Sequence, residues 1–368
     1  MDILKYIYAA AMMLLLTGCY TEFEPEIKDK PVLCMNSLID AGEPFCVSLT
    51  HTFLYTDTNR ADVTVKDAVV KLYVNGSYKE DLQYREENSI NYYGEEVVNR
   101  GYYSTYEPKE EDVIRLEASH STYGDATAEV TVPKHVDIES IQWNAPEEEI
   151  IDFYTPIQGY VHGKVFSMNM FVNFTDPAAD TNYYKVKWDA IKPDSFYDDA
   201  DNEDSDDENS DSDDEPFINT IFWLSGFDNE VDPIFSEFID AFENIMGSDS
   251  FGYTLFSDRT ISGQRYPLHL SFSNVRYSRS CNEDFNNPDI YDAKIVITLQ
   301  SISESFYKWY LYCWTKDDSF MGSLSDIGLT DNYTAYSNVS THAGVVAATA
   351  SYDYILDISD FIRDGIIK

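Results

Sequence analysis

In Ala126-Thr127-Ala128-Glu129-Val130-Thr131-Val132, apolar and polar residues alternate without a break. A period of two places one set of side chains on each face of an extended chain, so the stretch reads as a strand with one dry and one wet face. Similar short runs precede it. Val32 to Leu38 leads into the turn cluster Asp40-Ala41-Gly42-Glu43-Pro44 and then Phe45 to Thr50. Val69-Val70-Lys71-Leu72-Tyr73-Val74 meets Asn75-Gly76, a strong hairpin signal. Tyr102 to Tyr106 and Val113 to Ala118 follow. About seven strands at this spacing predict a small β-sandwich of immunoglobulin-like or transthyretin-like kind over residues 31–135.

Pro133 to Val136 reads as a boundary, and residues 136–368 as a second, β-rich domain with helical insertions. Ile138 to Trp143, Phe166 to Phe174, Tyr183 to Ala190, Tyr266 to Tyr277, Ala293 to Leu299 and Val345 to Tyr354 read as strands. Asp232-Pro233 opens a helical stripe to Met246 through Ile234, Phe235, Phe238, Ile239, Phe242 and Ile245. Ser303 to Thr315 fits a helix with Phe306, Trp309, Tyr310 and Cys313 on one face toward a core. Ile358 to Ile366 fits a short terminal helix. The fold class expected is therefore mainly β. The 29 Tyr and 21 Phe agree with it, since both residues favour half-buried pleated surfaces.

The N-terminus carries a different message. Lys5 precedes an apolar run from Ile7 to Leu16, too short to span a bilayer and suited to a signal peptide over residues 1–18. The run ends in Leu16-Thr17-Gly18-Cys19, which resembles the bacterial lipobox. That resemblance implies a diacylglycerol on the Cys19 thiol and cleavage before it; an ordinary signal with a chance cysteine is the plainer alternative. Residues 19–30, with Glu22, Glu24 and Glu26, read as an extended tether. Acidic residues at this place resemble a surface-export signal of lipoproteins in the phylum Bacteroidota.

A net charge of −41 repels nucleic acid and anionic headgroups and attracts divalent cations. It concentrates at residues 198–215, where twelve of eighteen residues are carboxylates. Asp199, Asp201 and Glu203 alternate as in a calcium loop, but the tract has no glycine for the sharp turn. It reads as a disordered, solvated insertion that binds divalent cations loosely. Beyond Cys19, the cysteines are Cys34, Cys46, Cys281 and Cys313, which allow three pairings. Pairing Cys34 with Cys46 and Cys281 with Cys313 keeps each bridge inside one domain; four free thiols is the alternative.

The landmarks, taken in order, resemble one family. They are the lipobox, Gly42-Glu43-Pro44, Gly101-Tyr102-Tyr103-Ser104, and Val132-Pro133 ahead of Ile138-Glu139-Ser140-Ile141. Phe174-Thr175-Asp176-Pro177, Phe256-Ser257-Asp258 with Gly263, Ile302-Ser303 through Tyr307, and Tyr336-Ser337-Asn338-Val339 ahead of Gly344 complete the set. The chain resembles an uncharacterised outer-membrane lipoprotein family of Bacteroidota, domain of unknown function 4249. The family implies an N-terminal immunoglobulin-like domain, outer-membrane placement and often a neighbouring TonB-dependent transporter. It implies no catalytic residues and no cofactor.

Other chemistry has little footing. The six histidines, His51, His120, His135, His162, His269 and His342, lie far apart, and no pair has zinc-helix spacing. Neither a nucleophile elbow nor a phosphate-binding glycine loop occurs. Tyr307, Trp309, Tyr310, Tyr312 and Trp314 form the densest aromatic cluster, and core packing explains it better than ligand stacking. Tyr84, Tyr92, Tyr93, Tyr102 and Tyr103 read as an exposed binding edge. The expectation is a non-enzymatic, lipid-anchored envelope protein, facing the cell surface, that serves a TonB-dependent β-barrel transporter or surface assembly. The alternatives are direct capture of glycan, peptide or metal ion, and an anchored hydrolase.

Overall fold

The structure is a computed structural model and describes residues 30–53, 63–90, 96–155, 159–178, 180–191, 218–228, 231–238, 254–281, 292–317 and 335–364. The alternating stretch is strand β7 (Gly124–Thr131), with Ala126, Ala128 and Val130 buried and their neighbours exposed. Before it come β1 (Leu33–Asp40), β2 (Cys46–His51), β3 (Val69–Val74), β4 (Ser77–Ile90), β5 (Glu96–Tyr103) and β6 (Val113–His120). They are joined in the order β1-β2-β5-β4-β3-β6-β7. Asn75 and Gly76 both take positive φ, 51° and 77°, and Val74 pairs with Ser77. This is the two-residue turn whose twist matches the strands it joins.

The rest of the chain supplies β8 (Ile138–Asn144), β9 (Glu148–Thr155), β10 (Gly159–Thr175), β11 (Tyr183–Ile191) and β12 (Ile218–Asp228). A 3-10 turn, η1 (Pro233–Phe238), precedes β13 (Leu255–Ser257), β14 (Arg265–Cys281) and β15 (Lys294–Ile302). Helix α1 (Glu304–Asp317), β16 (Val346–Asp357) and helix α2 (Ser359–Arg363) follow. β12-β14-β10-β8 form a second sheet, with β9 added to the free end of β10.

β16 joins the two parts of the chain. It runs antiparallel to β15 on one side and parallel to β1 on the other, so β11, β13, β15 and β16 share one sheet of eleven with β1 to β7. Val346 to Ala350 are buried on both faces, which is why this stretch is small and apolar but for Thr349, whose hydroxyl donates to Asp40, rather than alternating. The expected boundary at Pro133 to Val136 is the crossover from β7 to β8, and Val32–Lys368 forms one compact unit across it.

Two main cores result. The first lies within β1 to β7 and is completed by Val339, Val346 and Ala348. The second collects Phe166, Met168, Met170, Val172 and Phe174 of β10 with Leu268, Leu270 and Phe272 of β14 and Ile295, Ile297 and Leu299 of β15. Each such side chain, fully buried, contributes about 1.5–3 kcal/mol. Buried Lys164 ties α2 to this core by donating to the Phe361 carbonyl at 2.7 Å while lying over the Phe361 ring.

Residues 335–345 form a strap between the ends of the chain. Asn338 copies a strand neighbour, accepting from Val346 N at 2.9 Å and donating to Val346 O at 2.8 Å. Val339 bridges Ala128 of β7, and Met35 N of β1 donates to Ala343 O. Gly344, at φ +93°, lies so close to β1 that a Cβ would fall 2.1 Å from Met35 O. The Tyr336-to-Gly344 motif is thus a staple that closes the first core.

Several expectations are corrected. No Cys34–Cys46 bridge forms: the antiparallel register sets Cys34 opposite Thr50, four residues beyond Cys46. Four residues of strand span about 13 Å, beyond the roughly 7 Å limit for bridged Cα atoms. Cys34 and Cys46 are thiols, with Cys46 packed against Gly101. Cys313, on α1, is also a thiol, so the Cys281–Cys313 bridge is not made either. Where a helix was expected from Asp232, the described part is a 3-10 turn that buries Ile234 and Phe235; Ile239 to Met246 lie outside the described residues. β9 and β12 were not anticipated. β9 is exposed on both faces between Glu148 and Tyr154 apart from half-buried Ile151, so no alternation marks it.

Candidate functional site

β10 ends in Phe174-Thr175-Asp176-Pro177, where proline, lacking an N–H, ends the ladder. Asp176 is 1% exposed and its carboxylate is fully engaged. Tyr184 Oη donates to Oδ1 at 2.5 Å and Gly263 N to Oδ2 at 2.9 Å. Burial pushes the Asp176 carboxyl above its ordinary range, against the pull of these donors. It also pushes the Tyr184 phenol upward, helped by the Asp176 carboxylate. Gly263 is needed at this point: its φ is +69° and a Cβ would meet Ala178 at 2.8 Å.

The second motif, Phe256-Ser257-Asp258, lies on and just after β13. Asp258 N donates to Asn182 O at 2.9 Å, and the Asn182 amide nitrogen lies 3.2 Å from Asp258 Oδ2 and 3.3 Å from Asp176 Oδ1. Asn182 therefore links two buried aspartates from motifs far apart in sequence. The third motif, Ile302-Ser303 through Tyr307, starts α1. Ser303 Oγ accepts from Phe306 N and Ala348 N, fixing the helix start against β16.

The second and third motifs, with Ala178 just after the first, line an open cleft of about 910 Å³. Asp180, Thr181, Asp258, Arg259, Tyr307 and Lys308 are among the residues that line it. Tyr183 and Tyr307 pack with ring centroids 4.4 Å apart. Lys308 is paired with Glu304 at 2.8 Å, and that bond raises the Lys308 amine above its ordinary value. On the far side of α1, Lys185 lies over the Phe306 and Tyr310 rings, and burial lowers its amine. The cleft thus offers both charge signs beside aromatic faces, a set suited to binding polar ligands.

Cys19 and the acidic tract 198–215 lie outside the described residues. Among the described residues no three His, Cys, Asp or Glu side chains gather as a metal group. The histidines are still less scattered than their spacing suggests: His51 and His120 stack on opposite sides of Tyr123, at 4.5 and 4.7 Å. His120 Nδ1 accepts from Thr122 N and Tyr123 N, so its proton sits on Nε2, facing Asp67 at 3.1 Å. His135 is held by Glu110 and, at 3.0 Å, by Asp137.

The aromatic readings need correction. Tyr102 is 2% exposed, with its hydroxyl donating to Val65 O and accepting from Ala68 N, so it is core rather than binding edge. Tyr84 and Tyr103 are half-buried, and Tyr92 and Tyr93 lie outside the described residues. On α1, Phe306 is buried as expected, but Trp309 is 40% exposed. The Asp176–Asn182–Asp258 link has no local signature in the sequence, although each aspartate belongs to a family-like motif. The available signal was an Asp-Pro and a Ser-Asp each placed at a strand end.

The model of a family described as Domain of unknown function (DUF4249) matches residues 20–353. A search of curated proteins finds no match.

Proposed function

The chain belongs to the DUF4249 family, and from that premise we propose that it is a lipid-anchored envelope protein, a non-enzymatic accessory of a TonB-dependent outer-membrane transporter or surface assembly. The observation that carries the reading is Leu16-Thr17-Gly18-Cys19 behind a short apolar leader. Acyl chains on Cys19, at roughly 0.8 kcal/mol per buried methylene, hold the protein at the membrane. Confinement raises its effective concentration against an integral partner without any added contact. The tether with Glu22, Glu24 and Glu26 fits display at the cell surface. The first seven strands serve as an immunoglobulin-like or transthyretin-like docking module.

The site geometry favours binding over turnover. Asp176 is held by Tyr184 and Gly263, so it positions the cleft wall rather than moving protons. The cleft also supports a second reading, direct capture of a polar nutrient between Tyr307, Lys308 and Asp258.

Purification of the acylated protein from gently solubilised envelopes separates the two readings. A large β-barrel that copurifies with wild type and is lost with Cys19→Ser supports the accessory role. Saturable ligand binding by the chain with no barrel partner supports capture instead.

A further inference from the structure

β9 runs from Glu148 to Thr155 with no proline and no shift of register, and among the described strands it pairs with β10 alone. The register sets Phe166 opposite Glu148, and one step further on Ser167 N donates to Glu147 O at 2.9 Å. Bonded and non-bonded pairs alternate along an antiparallel ladder. Glu147, Glu149, Ile151 and Phe153 therefore aim their backbone groups at β10, while Glu148, Ile150, Asp152 and Tyr154 aim theirs away from it. Among the described residues nothing bonds to those outward N–H and C=O groups.

The side chains along this edge are equally open. Ile150 is 47%, Phe153 46% and Tyr154 62% exposed, so apolar area stands in water beside the outward backbone groups. Such an edge is a template for pairing with another chain, and native sheets commonly guard it with lysine, proline or a bulge. No Lys or Arg occurs between Lys134 and Lys164. The edge carries Glu147, Glu148, Glu149 and Asp152 instead, all exposed. From β10, Lys164 Nζ lies 3.3 Å from Glu148 and His162 Nδ1 3.2 Å from Asp152. The acids make this a selective guard, which repels a strand of like charge and draws a basic one.

We propose that β9 is a docking edge for an extended, basic and apolar segment of a partner protein, which adds to the sheet as a strand antiparallel to β9. Charge selects this occupant. A second copy brings the same carboxylates and a net charge of −41, and the acidic tract 198–215 of the chain itself has that sign too. Directly opposed residues of an antiparallel pair share a face. A matching strand therefore sets Lys or Arg against Glu148, Glu149 and Asp152, and apolar side chains against Ile150, Ile151, Phe153 and Tyr154. Main-chain bonds to the outward positions give affinity, and the order of charged and apolar pairs gives selectivity. Docking of this kind needs only the β9 edge and is independent of acylation at Cys19.

The fluorescent peptide Val-Val-Lys-Val-Val-Lys-Lys is the antiparallel complement of Glu148 to Tyr154. Fluorescence anisotropy with the full chain in detergent should show saturable binding. The same peptide, N-methylated at the residues that oppose the outward positions, keeps its charge and side chains but loses the donors that pair with β9. It should bind about tenfold more weakly or worse. A peptide with Glu in place of each Lys should not bind. Ile150→Pro removes one outward N–H and spares the β10 ladder, a place where an edge strand tolerates proline. It should also weaken binding of the unmethylated peptide about tenfold or more. Equal binding of the methylated and unmethylated peptides overturns the proposal, and that comparison needs only wild-type protein. Binding unchanged by Ile150→Pro overturns it as well. So does a concentration-dependent dimer that Ile150→Pro abolishes, which would make a second copy the occupant.

Discussion

Asn338→Ala tests the strap that closes the first core. The asparagine side chain accepts from Val346 N at 2.9 Å and donates to Val346 O at 2.8 Å and to Glu129 O at 3.3 Å. Val346 is fully buried, so water cannot replace the lost partner. The carbonyl is protected, because Ser305 Oγ also donates to it at 2.9 Å. The cost therefore falls mainly on the Val346 N–H: about 1–3 kcal/mol for an orphaned donor, plus about 1 kcal/mol for bonds lost elsewhere. The expected loss is about 2–4 kcal/mol, read as a lower denaturant midpoint at unchanged slope and a melting temperature lower by roughly 4–8 °C. Asn338→Asp is the control. It keeps the acceptor for Val346 N but turns a negative oxygen onto two carbonyls. It should be as damaging as alanine at neutral pH and recover part of the loss below about pH 4, where a protonated carboxyl donates again. An alanine cost under about 0.5 kcal/mol, the range of an ordinary surface change, refutes the strap account.

Other outcomes follow from particular contacts. Bonding to Glu110 raises the His135 imidazolium above its ordinary pKa, with Asp137 adding to it. A raised folded pKa means the contribution is complete below about pH 6.5, the unfolded value, and is lost as pH rises through the folded value. Melting curves of wild type and His135→Asn should therefore differ at pH 5.5 and converge by pH 9. Gly344→Ala forces a Cβ against Met35 O at positive φ and should cost at least about 2 kcal/mol by chemical denaturation. Denatured but unreduced protein should take up a thiol reagent at Cys34 and Cys46, as mass spectrometry of peptides would show; blocked thiols would contradict the β1–β2 register.

Much of the strand inventory was legible because its signals are local. The alternation at Ala126 to Val132 and the Asn75-Gly76 turn need only neighbouring residues to be read. The parallel pairing of β1 with β16 has no such signal, since it joins Ser37 to Val346 across nearly the whole chain. Tyr102 misled because tyrosine suits both wet and dry surroundings, and only the folded chain shows its hydroxyl satisfied inside. Trp309 misled the other way: its helical spacing points at a core that Phe306, Tyr307, Tyr310 and Leu311 of the same helix already cover. At the site, the motifs were visible but their meeting was not. Asp176 and Asp258 come together only because β11 pairs with β13, three residues of ladder that composition does not announce.

Lipid anchoring rests on what happens at Cys19. Intact-mass and N-terminal peptide mass spectrometry of the protein taken from bacterial membranes should find a chain beginning at Cys19 with a diacylglyceryl-bearing thiol. A mature chain that starts elsewhere, or starts at Cys19 with an unmodified thiol, contradicts it.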